Sequence, residues 1–456
     1  MDFSFARKIA VKLGMDKAIA YSSGSRIVSG VAGVLSVFFI TSFLTGVEQG
    51  FYYTFGSILA LQVFFELGLT GIMTQFVAHE ASHLTLNENA EYEGDYYYKS
   101  RLASLVKFCV KWYTVLAVVV FLFLTIVGFV FFSKYGEEHT GVNWETPWLL
   151  VCLATAIKLF QSPFNSILMG LGKVKEMSKV GFWQQVIQPS TVWIGLACGC
   201  KLYVAGIGYL LSVVIWFLFV QKDGLLKVLL NLWKEKVTER VSYLKEIFPF
   251  QWKIALSWVS GYFIFHLFNP VLFATDGAVV AGQMGMTLSA LNAINSLSLS
   301  WLNTKVPLYS SLIARKEYGT LDTIFRKTLY QMIPICLFLL TVFFLVIWVL
   351  RVTQFTFAGV VLADRFLGYI PMLLLMIPIV IDQFVSSWAT YCRCHKQEPF
   401  LLNSVVGGIL CLSSTFFLGS AFGLYGITIG YCALTICMMP WGYHIYKTCK
   451  KKWHGE

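Results

Sequence analysis

Long apolar stretches alternate with short polar ones along almost the whole chain. Twelve apolar stretches approach the roughly 20 residues that a helix needs to cross a bilayer. They lie near residues 22–45, 48–78, 108–132, 147–170, 180–199, 203–220, 251–270, 277–305, 328–350, 366–391, 400–419 and 424–444. A membrane β-barrel would instead show short segments of alternating polarity. The pattern therefore predicts an all-α polytopic membrane protein with twelve transmembrane helices.

Composition and loop charge support this interpretation and add a topology. The chain is 57% hydrophobic and only 13% charged, which excludes an ordinary soluble fold. Of its 35 Lys and Arg residues, 26 lie in alternate connecting segments that include both termini, and only 4 lie in the intervening segments. Positive residues accumulate on the cytoplasmic side of membrane proteins. We therefore expect both termini in the cytoplasm, and we assign the net charge of +11 to that membrane face rather than to nucleic-acid binding.

The eleven cysteines lie mainly inside the predicted spans, where a thiol packs as a small hydrophobic group. Cys198 with Cys200, and Cys392 with Cys394, are the closely spaced pairs. Neither pair has a second pair at metal-ligand spacing. The sequence predicts no metal site and no cofactor.

The two halves of the chain resemble each other. Gly30 and Gly46 recur 231 residues later as Gly261 and Gly277, and the segment AGIGYLLSVVIW is similar to YGITIGYCALTI in the second half. Six spans repeated as six with the same orientation form a parallel repeat around an axis along the membrane normal. We expect two pseudo-symmetric six-helix lobes around a central cavity that opens to either side.

Lobe boundaries follow from the segment between spans six and seven. Leucines recur there at helical spacing with lysines between them, which is typical of an amphipathic helix on a membrane surface. We predict an N-terminal lobe over residues 1–222, an amphipathic cytoplasmic linker over 223–249 with its helix near 224–247, and a C-terminal lobe over 250–456.

Several motifs resemble the multidrug/oligosaccharidyl-lipid/polysaccharide exporter superfamily, and within it the Wzx-type flippases for polysaccharide repeat units. VEQGFYYTFGSILALQVFFELGLTGIMTQFVA is similar to that family's second span, with the acidic-x-Gly triad at Glu66-Leu67-Gly68. LMGLGKVKEMSKVG resembles the turn between spans four and five, and KVPLYSSLIARKEYGTLDTIFRKTL resembles the end of span eight and the segment after it. Many relatives carry arginine near the inner end of span two, where this chain has Gln75.

The resemblance, which covers residues 20–445, implies a function and a location. It implies a flippase that moves undecaprenyl-diphosphate-linked oligosaccharide repeat units from the cytoplasmic to the outer leaflet by alternating access, for O-antigen, capsule or exopolysaccharide biosynthesis. It implies the bacterial inner membrane, a lipid-linked oligosaccharide as cargo, and polysaccharide polymerase machinery as a candidate partner. It implies a transporter rather than an enzyme.

Basic residues inside or near the spans suit a diphosphate, because ammonium and guanidinium groups form charge-assisted hydrogen bonds with it. Arg26, Lys253 and Lys305 lie near the cytoplasmic ends of spans one, seven and eight, and Lys158 lies deeper, in span four. The alternative for the first three is snorkelling to the interface, which Lys158 achieves less easily. We predict that the four bind the diphosphate.

Amide side chains in the spans are candidates for the sugar. The predicted set is Gln161, Asn165, Asn292, Asn295 and Asn303. The alternative is that they join helices by hydrogen bonds.

Two carboxylates inside spans, Asp382 and Glu66, are candidates for coupling transport to protons or sodium. For Asp382 the alternative is a structural pair with a buried lysine. For Glu66 it is the structural role of the triad.

Two other classes compete with the flippase. A cation-coupled multidrug exporter of the same superfamily would favour a carboxylate in span one or seven, where none occurs, and interior lysines would repel its cationic cargo. A membrane enzyme such as a polymerase or glycosyltransferase would need a larger extramembrane segment or a nucleotide-binding motif.

Overall fold

The computed structural model describes residues 17–136, 141–357, 359–395 and 397–454, and helices account for most of them. The helices are α1 (Lys17–Phe43), α2 (Gly46–Leu59), α3 (Val63–Glu66), α4 (Leu69–Ala81), α5 (Tyr96–Tyr135), α6 (Glu145–Gly170), α7 (Val174–Ala197), α8 (Tyr203–Lys222), α9 (Leu225–Lys234), α10 (Phe248–Phe265), α11 (Phe268–Thr275), α12 (Ala278–Asn303), α13 (Val306–Ala314), α14 (Tyr318–Val352), α15 (Tyr369–Cys394) and α16 (Leu401–His454).

The strands form two short hairpins in the connections. β1 (Leu84–Leu86) pairs antiparallel with β2 (Tyr92–Gly94), and β3 (Thr356–Phe357) pairs antiparallel with β4 (Val360–Val361). The all-α polytopic architecture predicted from the sequence is confirmed.

Among the described residues, seven helices are long and apolar enough to cross a membrane, and the bent series from Gly46 to Ala81 provides an eighth span. All twelve predicted spans nevertheless fall on described helices. Helices α7 and α12 have spanning length but carry many polar side chains, and α16 consists of two helices joined at a kink at Gly423 (φ 55°, ψ −134°), on which the last two predicted spans fall. The count of twelve membrane crossings remains a prediction.

Span two is broken in the middle. Helix α2 begins with a capping box in which Thr45 and Glu48 bond each other's backbone N–H groups. After α3, Leu67 and Gly68 adopt left-handed conformations with φ of 50° and 69°, and the chain turns by 43° between the two halves of the span. Two consecutive residues in this conformation stop a right-handed helix, since a side chain there crowds the following carbonyl.

The chain forms two compact units. One contains the described parts of Met1–Ala32, Leu61–Val130 and Asn143–Ala255, and the other those of Gly33–Ala60, Phe131–Val142 and Leu256–Glu456. The division into lobes over 1–222 and 250–456 remains a prediction.

The linker helix is shorter than its sequence predicts. It ends at Lys234, because backbone N–H groups that would continue it bond side chains of α5 instead. Ser100 Oγ accepts from the N–H groups of Thr238 and Glu239 at 2.8 and 2.9 Å, and Ser104 Oγ accepts from that of Val241 at 3.2 Å. The chain becomes helical again only in the π-helical turn Tyr243–Ile247. The linker is thus a ten-residue helix followed by an irregular segment bound to α5.

Candidate functional site

Lys158 lies near the middle of α6, a helix of 26 residues, so its two ends are about 20 and 18 Å away at the helical rise per residue. Its side chain is exposed, and its Nζ lies 4.4 Å from the ring centroid of Tyr209 on α8. Among the described residues, no carboxylate lies within 4.0 Å of this ammonium. A cation over an aromatic face is stabilised without being neutralised. Lys158 therefore lies halfway along a helix of membrane-spanning length, over an aromatic ring and with no carboxylate partner among the described residues.

The two amides one and two turns beyond Lys158 have different environments. Asn165 Oδ1 accepts a hydrogen bond from the indole Nε1 of Trp216 at 2.5 Å, which joins α6 to α8. Gln161 is buried, and its Oε1 has no hydrogen-bond partner among the described residues. Asn165 therefore joins two helices, which is the alternative considered for these amides, while Gln161 retains an acceptor for a ligand or water.

A second polar cluster lies in the C-terminal part of the chain and centres on Asp382 of α15. Asn295 Nδ2, on α12, donates to one carboxylate oxygen at 2.8 Å, and Ser386 Oγ donates to the other at 2.8 Å. Gln383 Nε2 donates in turn to Asn295 Oδ1. Among the described side chains, the carboxylate is thus oriented by neutral donors.

This carboxylate lines a cavity of about 320 Å³ within the second unit. Aromatic walls come from Phe268, Phe400 and Tyr431, and the ring of Tyr431 lies edge-on to that of Phe268 at 5.0 Å. The polar side chains of the lining include Asn292, Asn295, Asp382, Ser386, Asn403 and Thr435, together with Arg393, which pairs with Glu398 at 2.9 Å. Such a mixture suits a small polar or cationic ligand.

The predicted cationic mouth is only partly described. Lys305 is exposed at the start of α13, and Asn303 is exposed at the end of α12 beside it. The side chains of Arg26 and Lys253 lie outside the described part of the chain. A convergence of the three cations at the cytoplasmic mouth remains a prediction.

Glu66 lies at the break of span two, immediately before Leu67 and Gly68. Its Oε1 accepts a hydrogen bond from Thr70 Oγ1 at 2.6 Å, across the break. The contact joins the last residue of α3 to the first turn of α4, which gives this carboxylate a structural role of the kind that the triad implies.

One ion cluster was not predicted from the sequence. Arg101 at the start of α5 bonds Glu80 at the end of α4, with Nη2 to Oε1 at 3.0 Å, and Glu246 of the linker, with Nη2 to Oε2 at 2.7 Å. Burial raises the pKa of Glu246, but hydrogen bonds from Arg101 and from the Ser242 backbone outweigh burial and bring that pKa below its usual value. Glu80 and Arg101 both lie in the loop predicted between spans two and three. Their partner Glu246 lies 145 residues beyond Arg101, and no periodicity in the sequence indicated this contact.

Solved structures similar to this chain identify the fold. An inward-facing multidrug resistance MATE family transporter of the MOP superfamily superposes with a TM-score of 0.64 over 92% of this chain and 96% of that one, at 14% identity. The lipid II flippase MurJ, in an inward closed conformation, gives a TM-score of 0.59 over 93% and 86% of the two chains, at 12% identity.

A MOP superfamily transporter from Pyrococcus furiosus gives a TM-score of 0.53 over 95% of this chain and 96% of that one, at 13% identity. For that protein, the reverse polarity of the binding pocket suggests a different function. No family model and no curated protein matches the sequence. The chain therefore has the fold of MOP superfamily transporters, and it is a multi-pass membrane protein.

Proposed function

We propose that this protein is a flippase for a polyprenyl-diphosphate-linked oligosaccharide, which it moves from the cytoplasmic to the outer leaflet of a bacterial inner membrane, with both termini in the cytoplasm. The observation that carries the proposal is the exposed side chain of Lys158, halfway along α6 and with no carboxylate within 4.0 Å of its ammonium among the described residues. An uncompensated cation at that depth is costly unless an anion or water reaches it. A diphosphate supplies that anion.

The surrounding chemistry suits the rest of the cargo. The ring of Tyr209 lies 4.4 Å from Lys158 Nζ, and the buried Gln161 oxygen can accept from a sugar hydroxyl. Aromatic faces and amides are the usual partners of sugars. The polyprenyl chain requires only hydrocarbon, which the surrounding bilayer provides. Lys305, and Arg26 and Lys253 on the predicted topology, would receive the diphosphate at the cytoplasmic entrance.

Coupling is assigned to Asp382. Its carboxylate accepts from Asn295 and Ser386 and borders a cavity, so a proton or a sodium ion can reach it without breaking an ion pair. Oxygen ligands from a carboxylate, amides and hydroxyls suit a hard cation. Glu66, which bonds Thr70 at the break of span two, is the weaker candidate for coupling.

The same cavity favours a second candidate function, a cation-coupled multidrug exporter. Asp382 beside the aromatic rings of Phe268 and Tyr431 would accommodate a small organic cation. In that case the positive charge of Lys158 would have no part in transport.

Deletion of the gene in its native host separates these functions. A flippase predicts loss of surface polysaccharide and accumulation of lipid-linked repeat units on the inner leaflet, with complementation by the intact gene. Normal polysaccharide together with increased sensitivity to cationic drugs would instead establish the exporter. The involvement of polysaccharide polymerase machinery is tested by co-purification from the same host.

A further inference from the structure

Helices α2 and α12 cross in backbone contact near their N-terminal ends. A Cβ atom at Gly50 would lie 1.9 Å from the carbonyl oxygen of Ala278, and one at Gly282 would lie 2.8 Å from the amide nitrogen of Gly50. Contacts this short leave no room for any side chain. The crossing therefore depends on glycine at both positions and brings polar backbone groups of the two helices together.

Two buried polar side chains fasten this crossing. Gln49 is 1% exposed, and its Nε2 donates to the carbonyl oxygens of Gly282 at 2.8 Å and Arg365 at 3.1 Å. Arg365, in the connection before α15, is 7% exposed, and its Nη2 donates to the carbonyl oxygen of Leu44 at 2.5 Å. These bonds join the α1–α2 turn, helix α12 and the α14–α15 connection.

A dry aromatic cluster lies beside this crossing, beginning at the residue of α2 that follows Gly50. The ring of Phe51 lies 5.0 Å from that of Phe273 on α11 and 5.3 Å from that of Phe132 on α5, and Phe132 lies 5.6 Å from Phe273. All three side chains are at most 1% exposed. Interleaved rings at these distances exclude water. The hydrogen bonds of Gln49 and Arg365 and the aromatic cluster together close this end of the second unit to water.

The fastened end is the one that loop charge assigns to the exterior. The α1–α2 turn and the α14–α15 connection both belong to the segments that share only 4 of the 35 Lys and Arg residues. Cargo released to the outer leaflet must pass this side. Breaking a buried hydrogen bond is costly unless water or another group replaces the lost partner. These bonds therefore stabilise the closed form of this end.

We propose that Gln49 and Arg365 form an external latch, which closes the transporter toward the exterior and opens each time cargo is released. The proposal rests on the transport function proposed above, but the latch is measured without cargo. Opening separates the Gln49 side chain from Gly282 and Arg365 and admits water to α12 from outside. Gln49 and Arg365 are thus gating residues, not cargo-binding residues.

The test uses an exposed position deeper on α12 as reporter. Asn292 lies ten residues beyond Gly282, about 15 Å along the helix. Asn292→Cys is introduced into a chain with Cys198→Ser and Cys200→Ser, which removes the thiols of the α7–α8 connection. A membrane-impermeant maleimide is added to the outside of intact cells, and the chain without Asn292→Cys gives the background.

Gln49→Leu, which keeps the volume but removes the donor, is expected to raise the initial labelling rate of Asn292→Cys at least about fivefold, and so is Arg365→Gln. Gly282→Ala should do the same by forcing the crossing apart. The matched control is Gln283→Ala, on the same helix, which removes only an exposed bond to the Asp364 carbonyl. Its labelling rate should stay at that of the parent.

Unchanged labelling in Gln49→Leu and Arg365→Gln, with both proteins at normal membrane abundance, would overturn the latch. If a variant is lost from the membrane, the conservative Arg365→Lys replaces Arg365→Gln, with a smaller increase expected. An equal rise in the labelling rate with Gln283→Ala would also overturn the latch, since it would show that any lost bond on α12 loosens the packing of the helix. None of these results depends on the cargo, so the flippase proposal stands or fails separately.

Discussion

The guanidinium of Arg101 joins two carboxylates that lie far apart in the sequence, Glu80 at 3.0 Å and Glu246 at 2.7 Å. The Glu80 side chain is 2% exposed and that of Arg101 is 15% exposed, so this cluster is largely withdrawn from water. It fixes the linker to the second turn of α5 just before the chain enters α10.

Arg101→Ala should destabilise the protein strongly, because it leaves the buried Glu80 without a cation. Removal of one partner from a buried pair costs roughly 3–5 kcal/mol, and the partial exposure of Glu246 favours the lower end of that range. Thermal unfolding of the purified protein in detergent measures the effect. Arg101→Lys should recover part of the lost stability, since an ammonium keeps the charge but lacks the planar fork of donors with which Arg101 bonds both carboxylates. Equal stability of Arg101→Ala and the parent would show that the cluster contributes nothing.

Acid should release the linker. The folded-state pKa of Glu246 is below the ordinary value of 4.5, so its stabilisation is present above pH 4.5 and is lost as the pH falls through the folded pKa. Limited proteolysis of residues 235–242 should accordingly accelerate in that acidic range. In Glu246→Gln, cleavage should be faster at neutral pH and should lose most of this pH dependence. A parent protein whose linker cleavage is independent of pH would contradict the assignment.

Gly128 and Gly56 form a matched pair for testing packing in the spans. A Cβ at Gly128 would lie 2.0 Å from the buried indole of Trp148, whereas one at Gly56 meets nothing within 4 Å. Gly128→Ala should therefore cost about 1–3 kcal/mol through overpacking, with Gly56→Ala close to neutral. Relative unfolding temperatures in detergent provide the comparison. Similar losses for both variants would indicate a general intolerance of alanine in these helices.

Asp382→Asn tests coupling. The amide keeps the shape and one acceptor oxygen, but it cannot take up a proton or neutralise sodium. We expect transport to lose its dependence on a proton or sodium gradient, with binding of cargo largely retained. The measurement is cargo translocation in proteoliposomes with and without each imposed gradient. Asn295→Ala, which removes a donor to the carboxylate, should shift the dependence without abolishing it. Unchanged gradient dependence in Asp382→Asn would leave Asp382 with a structural role.

The sequence predicted most of the architecture, because long apolar runs have few alternatives in a membrane. It also indicated the individual polar residues that need an explanation, since Lys158, Asp382 and Glu66 interrupt those runs. Periodicity and charge bias carry this information locally, within one span or one loop. The break at Leu67 and Gly68 was not predicted, although the triad lies at the same place, because a left-handed leucine has no sequence signature.

Contacts across the chain were beyond the sequence. Arg101 meets a carboxylate 145 residues away, and Gln49 bonds a carbonyl 316 residues away. Neither pairing has a periodic signal. The same limitation explains the linker, whose leucine pattern predicted a helix to residue 247. There, Ser100 and Ser104 of another helix bond the backbone donors and end the helix at Lys234.

The central claim is that the positive charge of Lys158 receives an anionic lipid-linked cargo. Loss of a charge-assisted hydrogen bond costs about 1.5–3 kcal/mol, which corresponds to roughly ten- to hundredfold in affinity. The variants are Lys158→Met, which keeps the length of the side chain, and Lys158→Arg, which keeps the charge. The control is Lys134→Met, because Lys134 also lies over a tyrosine ring, at 5.1 Å from Tyr135, but near the end of α5.

The most direct measurement is binding of a polyprenyl-diphosphate oligosaccharide to the purified variants in lipid nanodiscs at matched protein amounts. The account predicts a ten- to hundredfold weaker Kd for Lys158→Met, a partial recovery in Lys158→Arg, and a parental Kd in Lys134→Met. Parental affinity in Lys158→Met, with the protein folded and correctly inserted, would contradict the claim that this lysine receives the diphosphate.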